Sequence, residues 1–560
     1  MDLVFNFRSL EKTFSGLQAL APVKVLARGI RYMRKWLVLI TLSMAMFIIV
    51  IDTTIMNVSI SALIIDLDTS VSGIQGAISI YALVMASFIL IGGKLGDILG
   101  KKRTFLIGSV LFGIGTFTAS ISPSLGVLVL GWSIVEGLGS ALMLPNIQTL
   151  LRDEYEGKDL AFAYGIVSAI GAVAAAVGPI VGGFLTTFYT WRLAFLGEVL
   201  IVIAVLALSR SIKADVPLPR KPRFDLAGAS LSVLGLFSIV MGILLGQTYG
   251  FWLSKQPLVI GSWEIAPFGL SVTPILIGLG VLLIMLLFRW EKRQEETGGD
   301  GLFKPSLFST PGLTPGFIVR HLHMALMAAF LFTFPLLLQL TFEFSALETG
   351  FALLPFSIVV LVSAIIGAKL TGRFIAKRII QAGFLLVILG LGIIAWTVKP
   401  DVQPSDMSLA VVFGAGIGLI ASQILNLIFS SVGEKDISET AGLNGTFEQL
   451  GNSIGVALVG TIMLSTLLIG LQMNIEESAE IPQEYKPELL AAVEESVELV
   501  SNTQLKSTLE ASGADPELQA EVLDIYALSR VRAFKIGIVF LIFLALVGLV
   551  STVGLSDRKL

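Results

Sequence analysis

The chain has 560 residues, of which 55% are hydrophobic and 14% are charged, and its mean hydropathy is +0.87. In soluble domains about a quarter of the residues are charged, whereas the apolar residues here recur in blocks of about twenty, the length of a membrane-spanning helix. The composition excludes a soluble enzyme and predicts an all-α polytopic membrane protein. The net charge of −3 says nothing useful about nucleic acid, because the charges lie in the loops, and we expect no nucleic-acid partner.

Side chains that carry enzyme chemistry are scarce. The chain has no cysteine, which excludes disulfides and thiolate chemistry. Its two histidines, His321 and His323, are too few for a zinc centre, and we expect them beside Arg320 at the cytoplasmic mouth of their helix. No combination of nucleophile, base and metal ligands stands out. We therefore predict that the protein is not an enzyme and holds no metal and no cofactor.

The segment before the first apolar block, residues 1–35, is predicted to be a cytoplasmic tail. Charged residues interrupt its apolar run, which argues against a secretory signal. Phe5, Leu10, Phe14 and Leu17 could form one face of an interfacial helix, or the tail could be unstructured.

Fourteen apolar blocks follow, and each predicts a membrane-spanning helix. The predicted spans are 36–60, 74–96, 104–121, 125–150, 160–187, 191–210, 226–246, 265–289, 315–340, 347–370, 378–398, 408–431, 437–470 and 533–555. Lysines and arginines cluster before the first span, after most even-numbered spans and at the chain end. The positive-inside rule therefore predicts a multi-pass protein of the cell membrane with both termini in the cytoplasm.

One predicted exterior loop, residues 472–532, is long and acidic. Within it, "DPELQAEVLDIY" predicts a helix with Asp515 as N-cap and Pro516 at the first helical position. Leu490, Val493 and Val497 recur upstream at helical spacing. A small helical cap above the pore and a solvated spacer are equally compatible with this pattern.

The two halves of the chain repeat a short motif. "GGKLGDILGKKR" follows the second span and "GAKLTGRFIAKR" follows the tenth. This repeat predicts two six-helix bundles, residues 36–210 and 301–560, the second including the acidic loop. Residues 211–300 would form a linker with two extra central helices. Internal repeats of this kind are typical of transporters with a binding site between the halves.

The motif after the second span contains Gly93, Asp97, Gly100, Lys101 and Lys102. Its glycines permit a tight turn, and the carboxylate can pair with basic side chains. The segment resembles the loop between spans two and three of the major facilitator superfamily. The resemblance implies a major facilitator fold and a gating loop that latches the cytoplasmic face.

A second motif, "GAVAAAVGPIVGGF", contains Gly171, Gly178, Pro179, Gly182 and Gly183. Small residues along one helix face allow close helix approach, and the proline bends the helix. The segment is similar to the motif typical of facilitator antiporters, in the fourteen-span multidrug:proton branch. That resemblance implies export.

Acidic residues interrupt three apolar spans of the first half. Asp52 lies in "IDTTIMNVSI", which resembles the first span of the fourteen-span branch, and Glu136 lies in "GWSIVEGLGSALMLP". Relatives carry an arginine where this chain has Ser133. Glu198 in the sixth span is a plausible neighbour. A charge at bilayer depth costs about 3 kcal/mol, so these acids are predicted to bind protons or substrate.

Polar residues of the second half provide further candidates for proton or substrate binding. Gln423 and Asn426 lie on the twelfth span, and Asn444 and Glu448 share a face of the thirteenth. We expect a monomeric, proton-coupled exporter of amphipathic, cationic drugs or metabolites, with membrane lipid as its surroundings. Export of lipid-like or acidic metabolites, and a membrane sensor without transport, remain as alternatives.

Overall fold

The computed structural model describes residues 21–215, 223–260, 263–265, 269–371, 373–399, 410–433, 435–496, 499–511 and 515–557. Most of the predicted N-terminal tail, including the apolar residues of the proposed interfacial helix, lies outside this part of the chain. Helices dominate because lipid offers backbone amides and carbonyls no hydrogen-bond partners.

The first half of the chain forms seven helices. They are α1 (Ala21–Val58), the short α2 (Ile60–Asp66), α3 (Val71–Leu99), α4 (Lys101–Ser120), α5 (Leu125–Glu154, with a π-helical segment Val129–Glu136), α6 (Gly157–Phe188) and α7 (Arg192–Leu208). A 3₁₀ turn, Ser209–Ser211, follows α7. Leaving out α2, these are six spanning helices.

The remaining elements form the extra pair and the second half. They are α8 (Leu226–Tyr249), strands β1 (Leu258–Ile260) and β2 (Trp263–Ile265), α9 (Val272–Thr297), α10 (Leu313–Thr341), α11 (Ala346–Leu370), α12 (Ala376–Thr397), α13 (Val411–Ser430), α14 (Ile437–Glu477), α15 (Lys486–Ser496), α16 (Asn502–Ala511) and α17 (Pro516–Ser551). Two 3₁₀ turns are Pro305–Ser309 and Thr552–Gly554.

The predicted number of spans is confirmed. The described residues contain fourteen helices long and apolar enough to cross a membrane. Because this number is even, the start of the first span and the end of the last span lie at one face, called here the terminal face; the other is the opposite face. The antiparallel pair β1–β2, on the opposite face, is a small departure from the all-α expectation.

The extra helices α8 and α9 pack against each other and against the seam between the bundles. Close approach at Gly235 and Gly280 joins the pair. Leu236 and Val240 of α8 contact Leu83 of α3 and the α14 side chains Leu450 and Ile454. The pair therefore touches both halves, as the prediction of two extra central helices requires.

The acidic loop contains a helical cap, which decides between the two alternatives. Asp515 accepts a hydrogen bond from the Glu517 amide at 3.1 Å, confirming the predicted N-cap. The helix continues from there into the last span, so α17 begins seventeen residues before the predicted span. No glycine or proline stands between Pro516 and Gly537 to end it.

A carboxylate at the opposite face docks the cap onto the second bundle. Glu343 accepts hydrogen bonds from the amide and hydroxyl of Thr503 at 2.8 and 2.7 Å. Arg530 is buried and donates to the Val500 carbonyl and the Asn502 side chain, both at 2.9 Å. These contacts hold the start of α16 against α17 and the end of α10.

We expect the cap to loosen in acid. Partial burial raises the pKa of Glu343, but the hydrogen bonds from Thr503 outweigh it and lower the pKa below its ordinary value. The docking contribution is therefore complete above the ordinary glutamate pKa and is lost as the pH falls through the lowered one. Hydrogen exchange of the amides of Asn502–Ala511, corrected for intrinsic rates, should accelerate below about pH 4. Glu343→Gln should abolish this pH dependence, and unchanged exchange in both proteins would contradict the assignment.

The turn between α3 and α4 depends on Gly100. Its φ is +105°, and a Cβ there would overlap the side chain of Asp215. Asp215 in turn accepts from the backbone amide of Lys102 at 2.8 Å, at the start of α4. Glycine is therefore required by both the backbone conformation and the space.

Gly100→Ala is expected to lower the free energy of unfolding by about 1–3 kcal/mol, because the substitution forces a side chain into a region nearly restricted to glycine. Thermal unfolding in detergent should show a lower Tm. Gly76→Ala is the matched control, since Gly76 lies within α3 with open space around it. Equal losses in both variants would argue against the special role of the turn.

Candidate functional site

A cavity lies between the two bundles, near the middle of the spans. One lobe, of about 220 Å³, is bordered by Tyr81 and Trp132 of the first bundle and Glu448 of the second. A second lobe, of about 380 Å³, extends between α6 and α11. Met46 and Met327 line both lobes. The volumes and the largely apolar lining suit a drug-sized ligand.

The cavity is continued by a vestibule at the terminal face. This space, of about 450 Å³, is lined by the ends of α3 and α5 and the start of α14. Gly93, Asp97 and Lys101 of the predicted gating loop line it, as do Asn444 and Glu448. Since Glu448 borders both spaces, the cavity adjoins the terminal face.

At the opposite face the bundles are joined by hydrogen bonds. Gln75 donates to the Ala457 carbonyl at 3.0 Å, and the Ser453 hydroxyl donates to the Ser79 carbonyl at 2.7 Å. Gln339 donates to the Val58 carbonyl at 2.8 Å. These direct contacts between the halves close that face.

The predicted antiporter motif contributes to this closure through close helix contacts. A Cβ on Gly178 would collide with Thr54 of α1, one on Gly182 would lie 3.0 Å from Ile55 of α1, and one on Gly183 would lie 2.5 Å from the Ala346 carbonyl oxygen of α11. The Pro179 carbonyl lies against Gly350 of α11. The small residues thus let α6 approach α1 of its own bundle and α11 of the other bundle. Gly171, nearer the cavity, is less tightly packed.

The three predicted carboxylates of the first bundle meet. Asp52 of α1, Glu136 of α5 and Glu198 of α7 each offer an oxygen, and these atoms lie within 4.8 Å of one another. Their exposed fractions are 1%, 0% and 3%. We call them the carboxylate cluster. Sequence spacing could not show this meeting, because it depends on how three separate helices pack.

Neutral donors surround the carboxylate cluster. The Trp132 indole N–H donates to both oxygens of Asp52, at 2.8 and 2.9 Å. The Thr116 hydroxyl donates to Glu198 at 3.1 Å. Neither oxygen of Glu136 has a hydrogen-bond partner among the described residues. Glu136 ends the π-helical segment of α5, a distortion frequent at functional sites.

An aromatic wall separates the carboxylate cluster from the cavity. Tyr81 and Trp132 stack with their ring centres 4.9 Å apart, and both line the first lobe. Asp52 and Glu136 do not line it. Asp52 and Glu136 are therefore screened from this lobe in this state, and their predicted role in binding protons or substrate stays a prediction. The sequence analysis does not predict this wall. The position of Trp132, one helical turn before Glu136, is the feature of the sequence that could have indicated it.

Ser133 replaces the expected arginine without supplying charge. Its hydroxyl donates to the Ala77 carbonyl of α3 at 2.8 Å. No basic side chain of the described residues forms an ion pair with the carboxylate cluster within 4.0 Å. Ser133 thus joins two helices of the first bundle.

The second-half candidates divide into two groups. Asn444 and Glu448 border the vestibule, but Gln423 and Asn426 line none of the three spaces described above. Gln423 is buried and donates to the Gly367 carbonyl at 2.8 Å, which joins α13 to α11. Asn426 is exposed on α13.

Arg320 and the histidines lie deeper than expected. Arg320 is buried and forms an ion pair with Glu448 at 2.5 Å. His321 and His323 bond to the carbonyls of Phe447 and Ile417, each at 3.2 Å. The prediction that all three lie at the mouth of the helix is wrong, because polar partners inside the second bundle bind them.

The gating loop makes its ion pair within the first bundle. Lys101 pairs with Asp153 of α5 at 2.8 Å, and Lys102 donates to the Ile212 carbonyl at 2.6 Å. Asp97 makes no ion pair with a described residue and lines the open vestibule. A latch across the halves therefore stays a prediction for a state closed at this face.

Two helical bundles around a cavity open toward one face define a polytopic membrane transporter. The family model of the Major Facilitator Superfamily matches residues 42–253 and 226–456. The chain belongs to this superfamily. It is a transporter rather than an enzyme, and its fourteen spans agree with the drug-exporting branch that the sequence motifs indicated.

The curated relatives include a named antibiotic transporter and a named multidrug resistance protein. The chain is 26% identical over 464 residues to a "Probable actinorhodin transporter" of Streptomyces coelicolor, covering 80% of this chain and 76% of the relative. It is 26% identical over 448 residues to the "Multidrug resistance protein Stp" of Mycobacterium tuberculosis, with 80% and 79% covered. A solved bacterial homologue of the human lysosomal transporter Spinster shares the fold, with a TM-score of 0.61 at 16% identity over 93% of this chain and 98% of that one.

Proposed function

We propose that the protein is a proton-coupled secondary transporter that exports amphipathic compounds by alternating access. The observation that carries the coupling is the carboxylate cluster: three buried acids with oxygens within 4.8 Å and no cationic partner among the described residues. Burial and mutual repulsion both disfavour more than one negative charge in such a group. The cluster therefore holds protons in this state.

Protons fit the cluster better than a metal ion. A hard cation such as Ca²⁺ takes six to eight oxygen ligands, whereas Trp132 and Thr116 direct donor hydrogens at Asp52 and Glu198. Those hydrogens stabilise a carboxylate and would oppose a cation. Glu136, which receives no donor, is the group with the most to gain from a proton.

The aromatic wall provides a route from cargo to proton. A cargo molecule in the first lobe touches Trp132 and Tyr81, and Trp132 bonds directly to Asp52. Movement of Trp132 would withdraw this donor and change the balance between proton binding and release. A state open to the opposite face would complete the cycle by separating α6 from α11.

The energy available is sufficient for useful export. If the terminal face of the protein faces the cytoplasm, each proton that crosses the cell membrane into the cytoplasm releases about 2.3 kcal/mol at a membrane potential of 100 mV. One proton per cycle would then support roughly a fiftyfold gradient of a neutral cargo. Export as the direction of transport is supported by the relatives named as an actinorhodin transporter and a multidrug resistance protein.

The test is flux in proteoliposomes that contain only this protein. In vesicles with the terminal face outward, we expect a pH gradient that is acidic inside to drive uptake of a fluorescent aromatic dye. A protonophore should abolish this uptake. Dye flux that is indifferent to the gradient would contradict proton coupling. Absence of flux for cationic, neutral and anionic dyes alike would favour a sensor.

A further inference from the structure

We propose that Arg320 is a recognition site for an acidic group on an aromatic cargo, which displaces Glu448 from the guanidinium. The inference rests on the proposed transport function and names the substrate class. It departs from the expectation of a cationic cargo. That expectation rested on the acids of the carboxylate cluster, which the aromatic wall separates from the cavity.

The charges that border the two lobes form a single pair. Among the described residues, Arg320 and Glu448 are the charged side chains that line these lobes. The cavity is therefore neutral while the pair is intact, rather than acidic. Whether the cavity prefers an anionic or a cationic cargo therefore depends on whether Arg320 or Glu448 can more easily give up its partner for the cargo.

The two members differ in depth. The side chain of Arg320 is 9% exposed, whereas that of Glu448 is 24% exposed and also borders the vestibule. The same vestibule is lined by the basic residues Lys94, Lys101 and Arg152 and by the acids Asp97, Asp153 and Glu439. A displaced Glu448 therefore keeps access to water in a space of mixed charge.

This asymmetry selects the sign of the cargo. A cationic cargo that captured Glu448 would leave Arg320 buried without a counter-ion, which is strongly unfavourable. An anionic cargo that captured Arg320 would leave only Glu448 unpaired, at the edge of the vestibule. The exchange that costs less is the one in which an acid replaces Glu448.

Arg320 has unused capacity for such a ligand. Its Nε has no hydrogen-bond partner among the described residues, and its hydrogen bond to Glu448 uses one terminal nitrogen. A guanidinium can present two parallel N–H groups to a carboxylate. His323, one turn along α10, also lines the second lobe and has a buried, unpartnered Nδ1.

The rest of the lining favours an aromatic body on the cargo. Met46, Met324 and Met327 line both lobes. Thioethers are flexible and make favourable contacts with aromatic rings. A planar aromatic acid would thus place its ring among the methionines and its acidic group at Arg320.

Binding to the purified protein tests this directly, without a proton gradient. The probes are pyrene-1-butyrate, the neutral pyrene-1-butanol and a pyrene-butyl trimethylammonium, which share one aromatic body. We expect the anion to bind about tenfold more tightly than the alcohol, and the cation to bind no more tightly than the alcohol. Tighter binding of the cation than of the anion would overturn the proposal.

Variants separate ion pairing from a general effect on folding. Glu448→Gln removes the competing carboxylate, so binding of the anion should tighten by about tenfold. Arg320→Gln should abolish the preference for the anion, while Arg320→Lys should retain part of it. If Arg320→Gln does not fold, the response to Glu448→Gln decides alone, and unchanged or weaker anion binding there contradicts the exchange.

The outcome can be told apart from failure of the proposed function. Preferential anion binding together with absent gradient-driven flux would contradict coupled transport and leave the recognition site standing. Gradient-driven flux of the cationic pyrene but not of the anionic one would support transport and overturn the recognition site.

Discussion

Glu136→Gln is expected to reduce pH-driven accumulation of cargo by roughly 100-fold, equivalent to about 2.7 kcal/mol. Glutamine has nearly the same shape, and its amide can donate to Asp52 and Glu198, whose oxygens lie within 4.8 Å. The packing of the carboxylate cluster should therefore survive while one titratable group is lost. Glu136 is the most informative member because it lacks any described hydrogen-bond partner.

Two transport modes distinguish uncoupling from misfolding. In Glu136→Gln, exchange of labelled for unlabelled cargo without a gradient should persist, whereas accumulation against a gradient should be lost. Glu291→Gln is the matched control: Glu291 is a fully buried acid of α9, in the extra pair, and accepts from the Leu302 amide at 2.9 Å. Normal accumulation in Glu136→Gln would remove the cluster from the coupling mechanism.

The spans are predictable from the sequence because each one is encoded locally. A run of about twenty apolar residues specifies a helix across the bilayer whatever its neighbours are. The close packing at the end of α6 is also predictable from the sequence, since spaced glycines around Pro179 indicate close helix contacts. The length of α17 is missed because hydropathy marks where a helix enters lipid and does not mark where the helix begins.

The site is only partly predictable from the sequence, because its chemistry depends on which helices face each other. Asp52, Glu136 and Glu198 can be selected as costly residues at lipid depth, and they do meet. Their separation from the cavity by Trp132 cannot be read from any local pattern. Gln423 shows the converse: an intramembrane amide has the same sequence signature whether it binds cargo or joins two helices, as it does here.

The ion pair in the second bundle raises the same difficulty. Arg320 stands seven residues into α10, where a long side chain can reach the interface or turn inward. Only its pairing with Glu448, on a helix more than a hundred residues away, decides between these. The acids of the first bundle thus have no described basic partner, whereas the buried Arg320 lies in the second bundle. The structure separates the carboxylate cluster in one half from an ion pair in the other.

Gly183→Leu is expected to shift the protein toward a state open at the opposite face and to lower transport by roughly 100-fold. A Cβ at this position would already lie 2.5 Å from the Ala346 carbonyl oxygen and 2.8 Å from the Leu347 Cα. Backbone atoms cannot rotate away as a side chain can, so α6 and α11 must separate to accommodate leucine. Packed helix interfaces respond to such a change by switching between discrete arrangements.

The absence of native cysteine allows a direct measurement of this shift. Leu331→Cys places a single thiol on a residue that lines both lobes of the cavity. In Gly183→Leu, a membrane-impermeant maleimide added at the opposite face should label it about tenfold faster, which corresponds to a shift of about 1.4 kcal/mol between the two states. Gly165→Leu is the matched control, because Gly165 lies on the same helix and a Cβ added there would meet no atom within 4 Å. Equal labelling rates in the two variants would show that the α6–α11 contact does not govern access, whereas faster labelling confined to Gly183→Leu would identify the antiporter motif as the closure of that face.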